Sequence, residues 1–299
     1  MSTLSSGVFA PVLTPFHADL SVDSGRFLTL CRRLLDEGCH GLVLFGTTSE
    51  ANSLSLEERE GLLDVLIEGG VDAGQLIVGT GLCAIPETVR LTGHAVGLGC
   101  AGVLMLPPFF YKGMSDEGLF AAYAEVIERV ADDALRIYLY HIPQVSGVAI
   151  SAALISRLRE AYPRTVVGIK DSSGDWQNTR ALLEDFPGFR VFPGNELIML
   201  DALRLGAVGC ITATANVNAA GLARLYADWR DESAEGLQET ASAVRRAVQS
   251  QAMVPALKQI IARRHGDDGW LTLRPPFVGL DEERAGALFT AIEGVGFSA

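Results

Sequence analysis

Three lysines stand against twenty-one arginines in this 299-residue chain, and one of the three, Lys170, closes a strand-like run. Val166-Val167-Gly168-Ile169-Lys170 is short, apolar and rich in β-branched residues, the pattern of a buried strand. The polar cluster Asp171-Ser172-Ser173-Gly174-Asp175 follows and reads as the loop where that strand ends. An amine at such a point is aimed into a site rather than into open solvent. A lysine that loses its proton can attack a carbonyl, whereas arginine stays protonated and cannot. The bland alternative is a strand-end lysine that reaches water or pairs with a carboxylate. Asp171 is the nearest candidate partner, although adjacent strand residues point to opposite faces.

The elements that must position this lysine can be read from the pattern along the chain. Eight β-rich runs occupy 7–16, 41–46, 76–81, 102–108, 137–143, 166–173, 190–196 and 209–216. Helix signals fill the gaps. The segment 23–38 has a 3.6-residue apolar period and ends at Gly38. Ser55-Leu56-Glu57-Glu58 is a capping box. Pro86 opens a third helix, and 115–130 and 151–162 continue the series. Strands alternating with helices imply parallel pairing through right-handed crossovers. The expected fold is an α/β (β/α)8 TIM barrel, whose typical size is about 250 residues. Later helices at 219–229, 234–250, 255–265 and 282–294 close the barrel and add a C-terminal helical appendage. The expected division is a barrel over 1–225 and a helical region over 226–299 packed on it.

Barrels of this kind gather their chemistry at the C-terminal ends of strands. Those ends supply Gly46-Thr47-Thr48-Ser49-Glu50, the aromatic run Phe109-Phe110-Tyr111, Tyr140-His141-Ile142-Pro143, Lys170, Gly194-Asn195-Glu196 and Ile211-Thr212. The five histidines are scattered, with no paired spacing for a metal, and no Gly-x-Gly-x-x-Gly follows the first strand. An amine with phenol and hydroxyl partners suits imine chemistry. Burial in an apolar interior favours a neutral amine, and a phenol linked to a hydroxyl can relay protons. Tyr140 and Lys170, on the fifth and sixth strands, are expected as neighbours. The Thr47 and Thr48 amides, opening towards the next helix, can hold a carboxylate. The alternative for that segment is a turn with capping hydroxyls.

Composition narrows the function classes. The chain is 48% hydrophobic and 20% charged, with net charge −12. Its basic residues never cluster beyond a pair, which argues against nucleic acid. No apolar run approaches the ~20 residues of a membrane span. The first six residues lack the features of a secretion signal. Cys31, Cys39, Cys83, Cys100 and Cys210 form no CxxC and read as small core residues. A reducing cytoplasm is the expected setting.

Taken together, these segments resemble the dihydrodipicolinate synthase and N-acetylneuraminate lyase family. Gly46-Thr47-Thr48-Ser49-Glu50 is similar to its G-T/S-T-G-E, Tyr140-His141-Ile142-Pro143 to Y-N-x-P, and Gly168-Ile169-Lys170-Asp171-Ser172 to G-x-K-x-[ST]. Arg274-Pro275-Pro276-Phe277 extends the likeness towards the C-terminus. The resemblance implies a class I aldolase that binds pyruvate or another 2-oxo acid as an imine on Lys170, without metal or organic cofactor. It implies that Tyr140 moves protons, Thr47 links Tyr140 to the relay, and Thr48 binds the pyruvate carboxylate. Ile211 and Gly194 would line the substrate site. A homo-oligomer, dimer or tetramer, is implied as well.

Three departures bear on the substrate. Val145 occupies the position where lysine-pathway synthases carry an arginine for the carboxylate of aspartate semialdehyde, and an apolar side chain cannot make that contact. After the seventh strand Glu196 keeps a carboxylate, but Leu197 removes the second one that sialic acid lyases aim at a polyol. Phe110 stands where the family often has a relay tyrosine that reaches into a neighbouring subunit. Tyr111 either substitutes for it or belongs with Phe110 to an oligomer contact. The reading that results is a lyase or dehydratase acting on pyruvate or a short 2-oxo-3-deoxy acid. The alternatives are 4-hydroxy-tetrahydrodipicolinate synthase activity and, lower, a non-catalytic 2-oxo-acid-binding protein.

Overall fold

The computed structural model describes residues 6–298, so the expectation for the chain's first residues lies outside them. Strands β1 (Gly7–Pro11), β2 (Gly41–Leu44), β3 (Leu76–Gly79), β4 (Gly102–Met105), β5 (Ile137–His141), β6 (Val166–Asp171), β7 (Arg190–Pro193) and β8 (Gly209–Ile211) form one parallel sheet. Its order is β7-β6-β5-β4-β3-β2-β1-β8. The Val208 N–H, just ahead of β8, donates to the Val191 carbonyl of β7 at 3.1 Å and brings the two edges together. The expected (β/α)8 barrel is the observed fold. Most strands end earlier than the apolar runs predicted, because the last residues of those runs leave the sheet as the loops that build the site.

The helices are α1 (Ser24–Asp36), α2 (Leu56–Glu68), α3 (Ile85–Gly97), α4 (Asp116–Val130), α5 (Pro143–Ser146), α6 (Ala152–Ala161), α7 (Trp176–Asp185), α8 (Met199–Arg204), α9 (Ala215–Ala227), α10 (Ala234–Val248), α11 (Met253–His265) and α12 (Glu282–Gly294). The predicted capping box forms: Glu58 N–H donates to Ser55 Oγ, and Ser55 N–H donates to Glu58 Oε2. The helix expected over 219–229 instead starts at Ala215 and bends at Asn218. None of the helices described is long and apolar enough to cross a membrane. The cysteines divide. Cys31, Cys39 and Cys210 are buried as expected, but Cys100 is half-buried and Cys83 is exposed in the loop before α3. An apolar neighbourhood in sequence did not place those two in the core.

Two packed layers hold the barrel. Phe9, Val43, Ile77, Leu104, Tyr138, Tyr140, Phe192 and Ile211 fill its interior, separate from the larger cluster between sheet and helices. Phe192 takes Phe9 and Tyr138 edge-on, with ring centroids 5.7 and 5.8 Å away. Gly168 makes room for this contact, since a Cβ there would lie 2.7 Å from Cδ1 of Tyr138 and 2.4 Å from the Arg190 carbonyl oxygen.

Register in β6 matters most for function. Ile137 pairs with Val166, but Tyr138 pairs with Gly168, so Val167 is an extra residue. Such a bulge shifts the inward–outward alternation by one residue. Val166 and Ile169 pack in the outer layer, and beyond the bulge Tyr140 pairs with Lys170 and His141 with Asp171.

Candidate active site

Register turns Lys170 into the barrel beside Tyr140. Its Nζ lies 3.4 Å from the Tyr140 hydroxyl and 4.5 Å from the ring centroid, and the residue is 5% exposed. The Tyr140 hydroxyl meets Thr47 Oγ1 at 3.1 Å. Amine, phenol and threonine hydroxyl therefore form one chain of contacts running towards solvent, with Thr47 exposed at its outer end. Asp171 is not the partner of Lys170. Its carboxylate accepts from Ser173 N–H, Asn178 Nδ2 and Thr179 Oγ1 at the start of α7. The neighbouring His141 Nδ1 accepts from Ile150 N–H at 3.1 Å. Burial pushes the His141 imidazole below its ordinary value, opposed by the Asp171 charge.

Thr47 sits on a turn whose backbone is constrained at both ends. Phe45 and Glu50 have φ of 54° and 56°, left-handed conformations that cost a non-glycine residue roughly 1–2 kcal/mol each. Phe45 is held by stacking on Phe27, centroids 6.5 Å apart. At Gly79 any Cβ would lie 2.2 Å from the Phe45 carbonyl oxygen, so glycine permits the close approach of β3. Inside the turn, Ser49 Oγ accepts from Gly46 N–H, Thr14 Oγ1 donates to the Ser49 carbonyl, and Glu50 N–H donates to the Thr47 carbonyl. The turn leads towards α2, as expected. A single 3-10 turn, Ala51–Ser53, intervenes before α2.

A cavity of about 280 Å3 opens here. Thr47 and Tyr140 line it together with Leu106, Phe109, Val145 and Phe277. Phe109 and Phe277 were not picked out as site residues in the sequence, although both belong to motifs noted there. Phe277 arrives from the C-terminal region because Arg274 anchors that segment. The Arg274 guanidinium donates to Glu58, Ser53 O and Leu20 O. On the opposite rim, Lys112 Nζ donates to the carbonyls of Phe109 and Ser146 and joins two loops of the mouth.

The remaining predicted residues are placed as follows. Thr48 is half-buried on the same turn as Thr47. Ile211 is fully buried in the barrel interior with Tyr140 and Phe192. Gly194 donates its N–H to the Asp171 carbonyl at 2.6 Å, and a Cβ there would strike Ser172 Oγ, so strand contact accounts for this glycine. Thr48, Ile211 and Gly194 do not line the cavity, and Lys170 lies behind Tyr140 rather than on the cavity wall. Glu196 is placed differently from the expectation. It is fully buried, accepts from Thr212 Oγ1 and Thr214 Oγ1, and lies 3.5 Å from Arg245 Nη1, so its carboxylate is spent on the segment after β8 and on α10 rather than on a ligand. Phe110 and Tyr111 are 72% and 69% exposed and pack edge-to-face on each other, outside the Lys170–Tyr140–Thr47 chain. Val145 is 62% exposed on α5 and lines the cavity mouth. Among the described residues, no group of three or more His, Cys, Asp or Glu is arranged to hold a metal ion.

Comparison with known proteins finds relatives along most of the chain. The family profile described as "Dihydrodipicolinate synthetase family" matches residues 4–294. A protein of Chloroflexus aurantiacus named an uncharacterized DapA-like lyase is 35% identical over 294 residues, covering 97% of this chain and 96% of its own. The 4-hydroxy-tetrahydrodipicolinate synthase of Thermus thermophilus is 37% identical over 211 residues, covering 70% of this chain and 69% of its own. In structure, YagE, a prophage protein of the dihydrodipicolinic acid synthase family from E. coli K12 solved in complex with pyruvate, superposes with a TM-score of 0.90 at 26% identity, over 99% of this chain and 100% of that one. With the family profile matched along nearly its whole length, the chain belongs to the dihydrodipicolinate synthetase family and is a lyase of that family.

Proposed function

We propose that this lyase works through an imine between Lys170 and pyruvate or a short 2-oxo-3-deoxy acid. The observation that carries the reading is the chain from Lys170 Nζ through the Tyr140 hydroxyl to Thr47 Oγ1, with contacts of 3.4 and 3.1 Å. The neutral amine attacks the ketone carbon. Tyr140 delivers the proton that lets the carbinolamine lose water, and later returns or removes a proton as the bond beyond C3 is made or broken. Thr47 passes protons between Tyr140 and the cavity. Thr48, beside Thr47 on the same turn, is the residue assigned to the substrate carboxylate. The imine supplies the electron sink, so the scheme calls for no metal or organic cofactor.

A short partner is favoured by the walls. Leu106, Phe109, Val145 and Phe277 are apolar, and the Glu196 carboxylate is committed to Thr212, Thr214 and Arg245. That carboxylate is therefore not free for a polyol tail. We further propose a cytoplasmic homo-oligomer, dimer or tetramer, with the exposed Phe110–Tyr111 pair at a subunit contact. Borohydride reduction with pyruvate, followed by peptide mass mapping, tests the scheme: a pyruvyl adduct on Lys170 is expected, and bound pyruvate without an adduct would move the weight to a non-catalytic binding role.

The second reading is 4-hydroxy-tetrahydrodipicolinate synthase activity, favoured by the Thermus thermophilus relative of that name. Val145 at the cavity mouth weighs against it, because valine offers no charge to a second carboxylate. Rates with aspartate semialdehyde against those with a panel of 2-oxo-3-deoxy acids separate the two.

A further inference from the structure

A second lysine is more deeply buried than Lys170. Lys258, on α11, is 1% exposed, and its Nζ lies 2.6 Å from Oε1 of Glu50, a carboxylate that is itself fully shielded. Nζ also donates to the Thr272 carbonyl at 3.0 Å and sits 4.6 Å from the centroid of the Phe16 ring. Arg274 packs on the same ring, also at 4.6 Å. Burial pushes the Glu50 carboxyl up and the Lys258 amine down, and each is opposed by the charge of the other.

Such a pair is a costly way to hold two segments together. Removing charges from water is expensive, and apolar residues of like shape often serve stability as well or better. Its position suggests what it is for. Glu50 ends the turn that carries Thr47, and does so in a left-handed conformation that a non-glycine side chain rarely adopts. Its N–H closes the turn onto the Thr47 carbonyl. The carboxylate is therefore fastened three residues from the hydroxyl that meets Tyr140. The other end of the pair lies on α11, beside the Thr272–Phe277 segment that supplies a cavity wall.

We infer that Glu50 and Lys258 are positioning residues, an ion pair that holds the turn so that Thr47 Oγ1 stays in contact with the Tyr140 hydroxyl. This rests on the imine reading and extends it: Glu50 borders the cavity, but its carboxylate is fully shielded and turned to Lys258. An error of about 1 Å in a relay group can cost on the order of 100-fold in rate, so a rigid tether at this turn has a kinetic consequence.

The test is a cycle with Thr47. The neutral, shape-preserving double substitution Glu50→Gln/Lys258→Met is made in the wild-type and in the Thr47→Val protein. With Thr47 present, kcat is expected to fall about 10- to 100-fold, with the KM for the 2-oxo acid within about twofold and the pyruvyl adduct on Lys170 still trapped by borohydride. In the Thr47→Val background the same substitution is expected to change kcat by less than about twofold, because the group it positions is gone. Equal losses in both backgrounds, or no loss in either, overturn the inference while leaving the imine reading standing. Absence of the adduct in the wild-type protein overturns both. If the double variant does not fold, Glu50→Gln alone goes through the same cycle and is judged by the same outcomes.

Discussion

Lys170 faces Tyr140 because β6 carries one residue more than β5. The bulge at Val167 puts Gly168 opposite Tyr138 and Lys170 opposite Tyr140, with Nζ 3.4 Å from the phenolic oxygen. It also turns Asp171 outwards, to Asn178 and Thr179, and so separates the amine from the carboxylate next to it in sequence.

That relationship predicts two different losses. Lys170→Ala removes the only group able to form the imine in the proposed scheme, so turnover and the borohydride-trapped adduct should both vanish. Tyr140→Phe removes one hydroxyl and leaves the ring in the barrel interior. Its kcat is expected to fall ~100- to 10,000-fold, the usual range for a lost acid–base group, with thermal unfolding little changed. An unaltered rate would refute the relay role.

Gly168 is predicted to be intolerant of even one methyl group. Its Cβ would meet the Arg190 carbonyl oxygen at 2.4 Å and Tyr138 Cδ1 at 2.7 Å, and the backbone cannot yield there without moving β7. Overpacking of this kind typically costs about 1–3 kcal/mol. Gly168→Ala should unfold at lower denaturant, and the displaced β6 should lower kcat as well. Wild-type stability with wild-type rate would mean that the barrel absorbs the strain.

The barrel was legible because eight apolar runs alternate with helical periods, and the site because barrel chemistry lies at strand ends. What escaped was of three kinds. The bulge at Val167 leaves no mark in a run of β-branched residues, and strict alternation would have put Val166 and Lys170 on one face. Glu196 follows a strand as a ligand-binding carboxylate would, yet Thr212, Thr214 and Arg245, all distant in sequence, claim it. Lys258 did carry a signal. The rarity argument that singled out Lys170 applies equally to a lysine between Val254 and Ile261, but its partner Glu50 lies 208 positions away and only the fold brings the two together.

Val145 is predicted to decide whether a second carboxylate is accepted. It stands on α5 at the cavity mouth, largely exposed, so a longer side chain can extend without displacing the core. Val145→Arg should raise kcat/KM for aspartate semialdehyde about 10-fold or more, in line with the roughly 1.5–3 kcal/mol of a charged hydrogen bond. Steady-state kinetics read this directly, and no gain would assign selectivity to the other walls of the cavity.

His141 should make the fold sensitive to mild acid. Its Nδ1 accepts the Ile150 N–H, which requires that nitrogen to be unprotonated, and burial holds the ring below its ordinary value. Above about pH 6.5, the usual value for a free histidine, the folded and unfolded forms are both neutral and the group adds no pH dependence. As pH falls below that point the unfolded chain takes up the proton first, so stability drops until the folded form is protonated too. In His141→Asn an amide oxygen can accept the same N–H and nothing titrates. The loss of unfolding midpoint between pH 7 and pH 5 should then be smaller than in the wild-type protein. It should not vanish, because His40 and His265 are pushed in the same direction by burial. An equal loss in both proteins would remove His141 as a source of the acid sensitivity.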